Sequence, residues 1–418
     1  MSEYKFVEKP FLDQLSALGW IIIDQGEGIP GDPAISLRTD FREVTLKEVF
    51  KQSVKAINTL DDGSEWLTDK QLDELHEELT SQAGKGLLEA NKDVLNLLYK
   101  AQVDANEVTG EEYPVVKLID FSKPEANTFH AINQFRIDTP GKVKDHIRPD
   151  IVLFVNGLPL VVVECKDKNI YTSNPIYEAI TQLRRYSDQR EETIEAGLRE
   201  GEERLFHCNQ LMIATTGDEA KFGTITSTSD YFYGWKTIYP TKYQEYSKPL
   251  GVERPQEILI QGMLPKDTLL DIVRNFMLFM DAGDKQIKVA CRYQQYRAVL
   301  KTMEKLRTGH TSMERSGVIW HTQGSGKSLT MVFLVRKLRQ SHDLKDYKIL
   351  MVNDRVDLEE QLTKTAALTG EKVYVINNSN QLKKDLANDS SNLNMVMVHK
   401  FKEAETMLPD YVAEALGG

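Results

Sequence analysis

Residues 149 to 166 read Pro149-Asp-Ile-Val-Leu-Phe-Val-Asn-Gly-Leu-Pro-Leu-Val-Val-Val-Glu-Cys-Lys166, and the rest of the chain can be arranged around them. Two apolar runs rich in β-branched residues flank the pair Asn156-Gly157, which is a strong signal for a β-hairpin. Because strand side chains alternate between faces, Glu164 and Lys166 share one face and Cys165 points to the other. The stretch predicts a buried hairpin with charged groups only at its open end.

The pairing register of this hairpin decides whether Asp150 joins Glu164 on one face. A two-residue Asn-Gly turn pairs Asp150 with Val163, which places the two carboxylates on opposite faces. A three-residue loop sets Asp150 directly across from Glu164 instead. Pro159 cannot donate a hydrogen bond to the ladder and favours an irregularity there. We therefore predict a longer turn or a β-bulge near Pro159.

Asp150, Glu164 and Lys166 would together form an oxygen-rich site for a hard divalent cation, with Mg²⁺ as the leading candidate. Such a metal lowers the pKa of a bound water, and the lysine can orient that water or offset charge developing on a phosphate. This chemistry is hydrolysis of a phosphodiester. The alternative is that Glu-x-Lys is only the solvated end of a strand, because such triplets are common in a chain in which 28% of the residues are charged. An aspartate after proline at the mouth of the partner strand favours the catalytic interpretation.

Pro149-Asp150 followed by Glu164-Cys-Lys166 after a hairpin resembles the pattern of PD-(D/E)xK nucleases. The wording from Arg148 to Lys166 is similar to the R (restriction) subunit of type I restriction-modification enzymes. The family has an apolar residue where Cys165 stands, on the buried face. The resemblance implies a nuclease core, a mixed sheet flanked by helices, that cuts DNA with Mg²⁺.

Two further features extend the resemblance. Gln182-Leu-Arg-Arg-Tyr186 is similar to the Gln-x-x-x-Tyr motif of RecB-like nucleases, whose two side chains lie one helical turn apart and reach the same phosphate or metal site. An ordinary polar helix face is the alternative. Glu8 stands near the start of a predicted helix, and in the family an early helical glutamate approaches the nuclease site. A carboxylate in a first turn is also favoured by the helix dipole.

The composition limits the class of protein. With 418 residues, 41% of them hydrophobic, the chain should hold two or three domains. A net charge of −11 argues against coating nucleic acid by charge alone, so DNA contacts should be local and metal-assisted. Three cysteines without Cys-x-x-Cys spacing indicate neither a zinc site nor a disulfide framework. With no signal peptide and no apolar run of membrane-spanning length, we expect a cytoplasmic protein.

Periodicity predicts helices and strands around the hairpin. The predicted helices span residues 6–20, 41–60, 68–103 and 266–280, and the predicted strands span residues 21–24, 115–120, 129–137 and 205–215. The two strands between 115 and 137 should flank the hairpin in one mixed sheet. His130 is expected to be structural.

Residues 217–256 mix small residues with aromatic rings and two lysines. We expect a loop whose rings pack on the domain beneath, although rings such as those from 231 to 246 can also stack on unpaired bases. The stretch Tyr246–Arg254 should separate an endonuclease domain, residues 1–250, from a second domain, residues 251–418.

The second domain carries a nucleotide-binding motif. An apolar strand, Val318-Ile-Trp320, leads into the loop Gly324-Ser325-Gly326-Lys327-Ser328, after which a helix begins. Backbone N–H groups of such a loop cradle phosphates, the lysine reaches the β- and γ-phosphates and the serine hydroxyl joins Mg²⁺. His321 replaces the first Walker glycine, a departure that resembles the type I restriction subunit's own version. Gln295 lies in a segment that resembles the adenine-reading motif of superfamily 2 helicases.

Alternating strands and helices then follow: residues 348–353, 358–367, 372–376, 382–386 and 394–398. They predict the first half of a RecA-like motor domain with a parallel sheet. Asn353-Asp354-Arg355 stands where a helicase places a DNA-backbone contact. No Asp-Glu-Ala-His element occurs. In the family, that element and a second motor domain lie beyond this point, so we expect a truncated lobe that binds ATP without turning it over.

The combined prediction is an α/β protein in which an Mg²⁺-dependent DNA endonuclease domain is joined to the first lobe of an ATP-dependent translocase. By resemblance, it would be the restriction subunit of a type I complex, cutting unmethylated double-stranded DNA with methyltransferase and specificity subunits as partners. The alternatives are a RecB-like repair nuclease-helicase and a nucleotide-gated DNA-binding module with an inactive nuclease.

Overall fold

The computed structural model describes residues 3–106, 108, 112–169, 174–190, 195, 197–239, 254–322, 324–353, 368, 370–388 and 390–398. Contacts divide the chain into two compact units, Met1–Ala290 and Cys291–Gly418. The segment Tyr246–Arg254, where we predicted a boundary, lies almost wholly outside the described residues. The first compact unit continues to Ala290. That the endonuclease domain ends at residue 250 stays a prediction.

The first unit contains twelve described strands. In chain order they are β1 (Ile21–Ile23), β2 (Ala101–Gln102), β3 (Val115–Val116), β4 (Phe129–Asn133), β5 (Ile137–Asp138), β6 (His146–Ile147), β7 (Ile151–Val155), β8 (Leu158–Cys165), β9 (Leu211–Thr215), β10 (Ala220–Gly223), β11 (Met277–Ala282) and β12 (Lys285–Ala290). Six of them form one sheet in the order β1-β4-β7-β8-β9-β10. The pairs β1/β4 and β8/β9 are parallel and the others are antiparallel, so the predicted mixed sheet is confirmed.

The first unit also contains helices. They are α1 (Lys9–Ala17), preceded by a wider helical turn over Tyr4–Glu8, then α2 (Lys47–Ile57), α3 (Asp69–Thr80), α4 (Leu87–Tyr99), α5 (Pro175–Tyr186), α6 (Arg204–His207), α7 (Pro255–Met263) and α8 (Lys266–Asn275). Helix α5 contacts β8 and β9, α1 contacts β1 and α7, and α7 contacts β10. None of the helices in the described part of the chain is long and apolar enough to span a membrane.

The hairpin β7–β8 lies at the centre of the sheet, and every residue of both strands is buried. This explains why both strands read as continuous apolar runs. Val152, Phe154 and Val162 on one face join a core cluster with Ile180 and Leu183 of α5. Asn156 adopts φ +49° and Gly157 φ +77°, as a two-residue turn of this type requires.

The register contains the predicted irregularity. Val155 pairs with Leu158 across the turn and Phe154 with Pro159, but Leu153 then pairs with Val161. Leu160 is therefore an extra residue, a β-bulge next to the proline. The bulge moves the rest of β8 by one position, so Ile151 pairs with Val163 and Asp150 comes opposite Glu164. The prediction of a bulge near Pro159 is confirmed.

Several predicted elements are shorter than their patterns. The helix expected over 41–60 begins at Lys47, because Leu46 donates its backbone N–H to the Gly157 carbonyl in the hairpin turn, at 2.9 Å. The segment 68–103 forms two helices, α3 and α4, separated at Gly84 with φ +80°. Thr68 begins α3 with a reciprocal cap involving Gln71.

Other predictions were wrong in extent. Val115–Val116 pairs with Ala101–Gln102 in a separate ribbon and does not flank the hairpin. The strand predicted over 129–137 breaks at Gln134, whose φ is +49°. The strand predicted over 205–215 is limited to Leu211–Thr215, after the short helix α6. The helix predicted to reach Met280 ends at Asn275, and β11 and β12 form a hairpin that the sequence had not indicated.

Two rings of the aromatic region, Phe232 and Trp235, are buried at 4% and 2% exposure, as expected for rings packed on the domain. Tyr231 is 61% exposed. The rings of Tyr243 and Tyr246 lie outside the described residues.

The second unit contains a smaller parallel sheet. Its described elements are α9 (Tyr293–Thr308), α10 (Ser312–Arg315), α11 (Lys327–Gln340), β13 (Ile349–Asn353), β14 (Val373–Ile376), α12 (Ser379–Ala387) and β15 (Leu393–Met397). The strand order is β13-β15-β14, with both pairs parallel. These elements confirm the predicted alternation; residues 358–367 and Asp354-Arg355 lie outside the described part.

The strand predicted before the nucleotide loop is not formed. Val318 and Trp320 are 90% and 89% exposed, and no described strand pairs with this segment. A strand needs a hydrogen-bonding neighbour, and apolar propensity alone does not supply one.

Candidate active site

The hairpin brings two carboxylates to neighbouring positions at its open end. Asp150 precedes β7 and is 6% exposed, and Glu164 lies near the end of β8 and is 1% exposed. Asp150 Oδ2 accepts a hydrogen bond from the Cys165 backbone N–H at 2.7 Å. The backbone of β8 therefore fixes the carboxylate of the opposite strand, and the bulge makes this contact possible.

Lys166 completes the predicted group. Its Nζ donates to Glu164 Oε1 at 2.5 Å and to the Cys165 carbonyl at 2.9 Å, and it lies 3.8 Å from Glu3 Oε1. Burial opposes its charged form, but the negative charges of Glu164, Asp150 and Glu3 together raise the pKa of Lys166 above its usual value. The lysine is therefore held as a cation beside the carboxylates.

One cation does not balance this group. Burial, followed by the charge of Asp150, raises the pKa of Glu164 well above its usual value. Burial also raises the pKa of Asp150, against the lowering effect of Lys166. Glu164 Oε2 is buried and has no hydrogen-bond partner in the described structure. A buried oxygen without a partner is costly, and a divalent cation is the ligand that such an oxygen would suit.

The N-terminal helix adds carboxylates to the same place. Single oxygens of Glu3, Glu8 and Asp150 lie within 4.8 Å of one another, a spacing that could hold one metal ion. Burial and then the charge of Asp150 raise the pKa of Glu8 from 4.5 to about 8. Glu8, named from the sequence as a possible extra, is thus brought to the site. The donor set of carboxylate oxygens fits Mg²⁺.

Gln134 connects two of these carboxylates. Its Nε2 donates to Glu8 Oε2 at 2.9 Å and lies 3.5 Å from Asp150 Oδ1, and its backbone N–H donates to the Asp150 carbonyl at 2.7 Å. The residue is 4% exposed and has φ +49°, a conformation that costs a non-glycine residue free energy. Sequence reasoning assigned no role to Gln134 or Glu3, and only the positive φ, invisible in sequence, singles out Gln134.

Gln182 and Tyr186 of α5 line the same cleft, which has a volume of about 550 Å³ and also contacts Asp150, Glu164 and Lys166. Gln182 Nε2 donates to the Tyr186 hydroxyl at 2.9 Å, and that hydroxyl donates to the Arg148 carbonyl at 3.0 Å. Burial and the nearby carboxylates raise the pKa of Tyr186 well above its usual value. The motif is therefore brought to the carboxylates as a hydrogen-bonded pair; the role of each residue stays a prediction.

The nucleotide loop of the second unit has the expected local geometry. Gly324 and Gly326 adopt φ +75° and +82°, and α11 begins at Lys327. Lys327 Nζ contacts the His321 and Thr322 carbonyls at 3.2 and 3.3 Å. The predicted phosphate-binding residues, which include Ser325 and Ser328, thus lie at the N-terminus of a helix.

Gln295 holds this loop. Its Nε2 donates to the Gly326 carbonyl at 3.0 Å, and its Oε1 accepts the Arg292 backbone N–H at 2.8 Å. Both ends of the amide are occupied within the protein, so reading adenine would require these bonds to be shared or exchanged.

Comparison with known proteins finds a family match within each unit. Residues 1–231 match the family model described as the type I restriction enzyme R protein N terminus (HSDR_N), and residues 294–415 match the SWI2/SNF2 ATPase model. The type I restriction enzyme HindI endonuclease subunit of Haemophilus influenzae is 30% identical over 96% of this chain and 37% of that protein. The SauMSSORF170P endonuclease subunit of Staphylococcus aureus, also a type I restriction enzyme, is 26% identical over 81% of this chain and 32% of its own length. The chain thus spans about a third of these relatives. It belongs to the family of type I restriction enzyme R proteins, as the motifs in the hairpin had indicated.

Proposed function

We propose that this chain carries the DNA-cleaving site and the first motor lobe of a type I restriction enzyme that acts on unmethylated double-stranded DNA in the cytoplasm. The observation that carries the proposal is the convergence of Asp150, Glu164 and Lys166 in one cleft of a chain of this family. The fold of the first unit would then be a PD-(D/E)xK nuclease core.

In the proposed reaction, Asp150 and Glu164 hold Mg²⁺, with Glu8 as a third oxygen donor. When bound, the metal would lower the pKa of a water and offset charge on the scissile phosphate. Lys166 is fixed by Glu164 at 2.5 Å and would orient the attacking water or donate to a phosphate oxygen. Gln182 would hold the phosphate or a metal-bound ligand, while Tyr186 fixes the Gln182 amide through its hydroxyl.

The second unit would supply the motor. Gly324, Ser325, Gly326 and Lys327 would hold the phosphates of ATP, Ser328 would join its Mg²⁺, and Gln295 would read adenine after exchanging a bond with the loop. The match to an ATPase model over 294–415 supports this assignment.

Sequence recognition would come from partner subunits. The relatives are named endonuclease subunits, and the net charge of −11 is unfavourable for holding DNA by charge alone. We therefore propose methyltransferase and specificity subunits as the partners that deliver the DNA.

The experiment is cleavage of unmethylated circular DNA by the restriction subunit that carries this sequence, assembled with those partners, Mg²⁺ and ATP. Glu164→Ala should lose cleavage by at least about a thousandfold, because several kcal/mol of transition-state stabilisation depend on the metal, and should retain ATP hydrolysis. The matched control is Glu77→Ala, an exposed glutamate of α3 outside the cleft. Equal cleavage by wild type and Glu164→Ala would refute the assignment, and a requirement for a DNA end would favour a RecB-like enzyme.

A further inference from the structure

One wall of the nuclease cleft is the segment Lys144-Asp-His-Ile-Arg148. Its backbone is fixed. His146 pairs with Asp138 across β5 and β6. Thr139 donates its N–H to the Asp145 carbonyl at 2.8 Å and its hydroxyl to the Lys144 carbonyl at 2.6 Å. The side chains of this wall therefore project from a rigid support.

Only His146–Ile147 of this segment forms a strand, β6, and the chain bends at Lys144 and Asp145 before it. Lys144, His146 and Arg148 are the basic residues of this wall. All three line the cleft; Lys144 is exposed and the other two are half-buried. Ile147 between them is 3% exposed and belongs to the core. We name the three residues the phosphate edge.

The positive charge of Arg148 acts on Asp150, where it lowers the pKa of that carboxyl against the raising effect of burial. Within the described ranges, no ion pair or side-chain hydrogen bond involves Lys144 or Arg148. Neighbouring cations differ: Lys142 lies 3.7 Å from both Asp188 and Glu202. The exposed Asp145 also lines the cleft and is the one opposing charge in the segment. In the described structure, two cations without a direct salt bridge and an imidazole thus share one wall of the cleft, in a chain with a net charge of −11.

We propose that the phosphate edge binds phosphates of the DNA strand that flank the scissile phosphate. The inference rests on the proposed function, since it takes DNA as the occupant of the cleft. The edge continues directly into Pro149-Asp150, so a strand held by it would lead its next phosphate to the carboxylates. Three basic side chains along one wall of the cleft suit a polymer with several phosphates better than a single anion. The edge would fix the register of the cut without reading sequence.

The test is the salt dependence of DNA binding by the restriction subunit that carries this sequence, assembled with its partner subunits. A fluorescein-labelled duplex of arbitrary sequence is titrated by anisotropy in EDTA, which prevents cleavage, from 50 to 200 mM KCl. The variants are Lys144→Gln, Arg148→Gln and their combination. The matched control is Lys70→Gln, a lysine of α3 with an 85% exposed side chain. Thermal unfolding checks that each variant is folded.

Each phosphate contact contributes about 0.9 to the slope of log K against log salt concentration. We expect each single variant to reduce the slope by about 0.9 and the double variant by about 1.8, while Lys70→Gln leaves it unchanged. An unchanged slope in both single variants, or no duplex binding by the wild type, would overturn the proposal. The two proposals fail separately. If the slopes change but cleavage does not depend on Glu164, the phosphate edge is supported and the nuclease assignment is refuted. If cleavage depends on Glu164 but the slopes do not change, the nuclease assignment is supported and the phosphate edge is refuted.

Discussion

Replacing Glu8 by glutamine should stabilise the metal-free protein and weaken its hold on Mg²⁺. Glu8 has a pKa of about 8 in the folded chain against 4.5 as the ordinary value, because of burial and the charge of Asp150. An acid whose pKa is higher in the folded than in the unfolded chain lowers the free energy of unfolding. This loss is absent below the unfolded pKa, grows between the two pKa values and is complete above the folded pKa. At pH 7 the unfolded carboxyl is ionised while the folded one is mostly protonated.

The magnitude follows from linkage. A shift from 4.5 to about 8 corresponds to a cost of about 3 kcal/mol at pH 7 and about 1 kcal/mol at pH 5. Glutamine is neutral and can still accept from Gln134 Nε2, which donates to Glu8 Oε2 at 2.9 Å. Glu8→Gln should therefore raise the free energy of unfolding by about 3 kcal/mol at pH 7 and much less at pH 5.

The assay is urea unfolding in EDTA at the two pH values, followed by tryptophan fluorescence. Trp20 is 4% exposed and packs on Phe129 with a ring-centroid distance of 5.0 Å, so its emission reports on the first unit. Adding Mg²⁺ should then stabilise the wild type more than the variant, since only ligand bound to the folded state contributes. Glu77→Gln is the exposed control. A variant that is less stable than the wild type at pH 7, or a gain equal at both pH values, would refute the reasoning.

Three further predictions concern single positions in the first unit. Gln134→Gly should reduce Mg²⁺ affinity 10- to 100-fold, because it removes a hydrogen bond that orients metal ligands, but it should leave the free energy of unfolding nearly unchanged because glycine relieves the strain of φ +49°. Gln134→Asn should restore part of the affinity. Unchanged Mg²⁺ affinity in the glycine variant would contradict a positioning role for Gln134. Gly157→Ala should destabilise the first unit by more than about 2 kcal/mol, because φ is +77° and a Cβ would lie 2.4 Å from the Leu46 carbonyl oxygen. The control Gly63→Ala, where φ is +82° and the surrounding space is open, should cost about 1 kcal/mol. Equal costs of the two substitutions in urea unfolding would count against the close packing at Gly157. Lys288→Met should lower the free energy of unfolding by at least about 3 kcal/mol, because the buried Nζ donates to Asn91 Oδ1 at 2.7 Å, the Asn209 carbonyl at 3.0 Å and Gln210 Oε1 at 2.7 Å. The control is Lys285→Met at an exposed lysine. A neutral or stabilising effect of Lys288→Met would show that these three oxygens find other donors.

The hairpin could be read from the sequence because its information is local. Alternation, the Asn156-Gly157 turn and the proline at 159 together determine the register, and the requirement that Asp150 face Glu164 selects the bulge. The nucleotide loop was predictable for the same reason, since glycines at 324 and 326 supply the positive φ values that the turn needs.

The remaining parts depend on contacts between distant segments. Glu3 reaches Lys166 from 163 positions away, and Gln134 joins Glu8 to Asp150 across two elements. No local pattern announces such contacts. The helix expected to start at residue 41 is shortened by a backbone hydrogen bond from Leu46 to the hairpin turn, and helix periodicity cannot foresee that competition.

The most direct measurement of the central claim is to locate the bound metal. Fe²⁺ replaces Mg²⁺ in the folded chain, ascorbate and peroxide generate hydroxyl radicals at the metal, and the protein's own backbone breaks are mapped by mass spectrometry. We predict breaks near residues 3–8, 134, 150 and 164, suppressed by excess Mg²⁺ and absent in Glu164→Ala. Breaks confined to the loop around residues 324–328, with none in the hairpin, would show that the carboxylates of the first unit do not form a metal site.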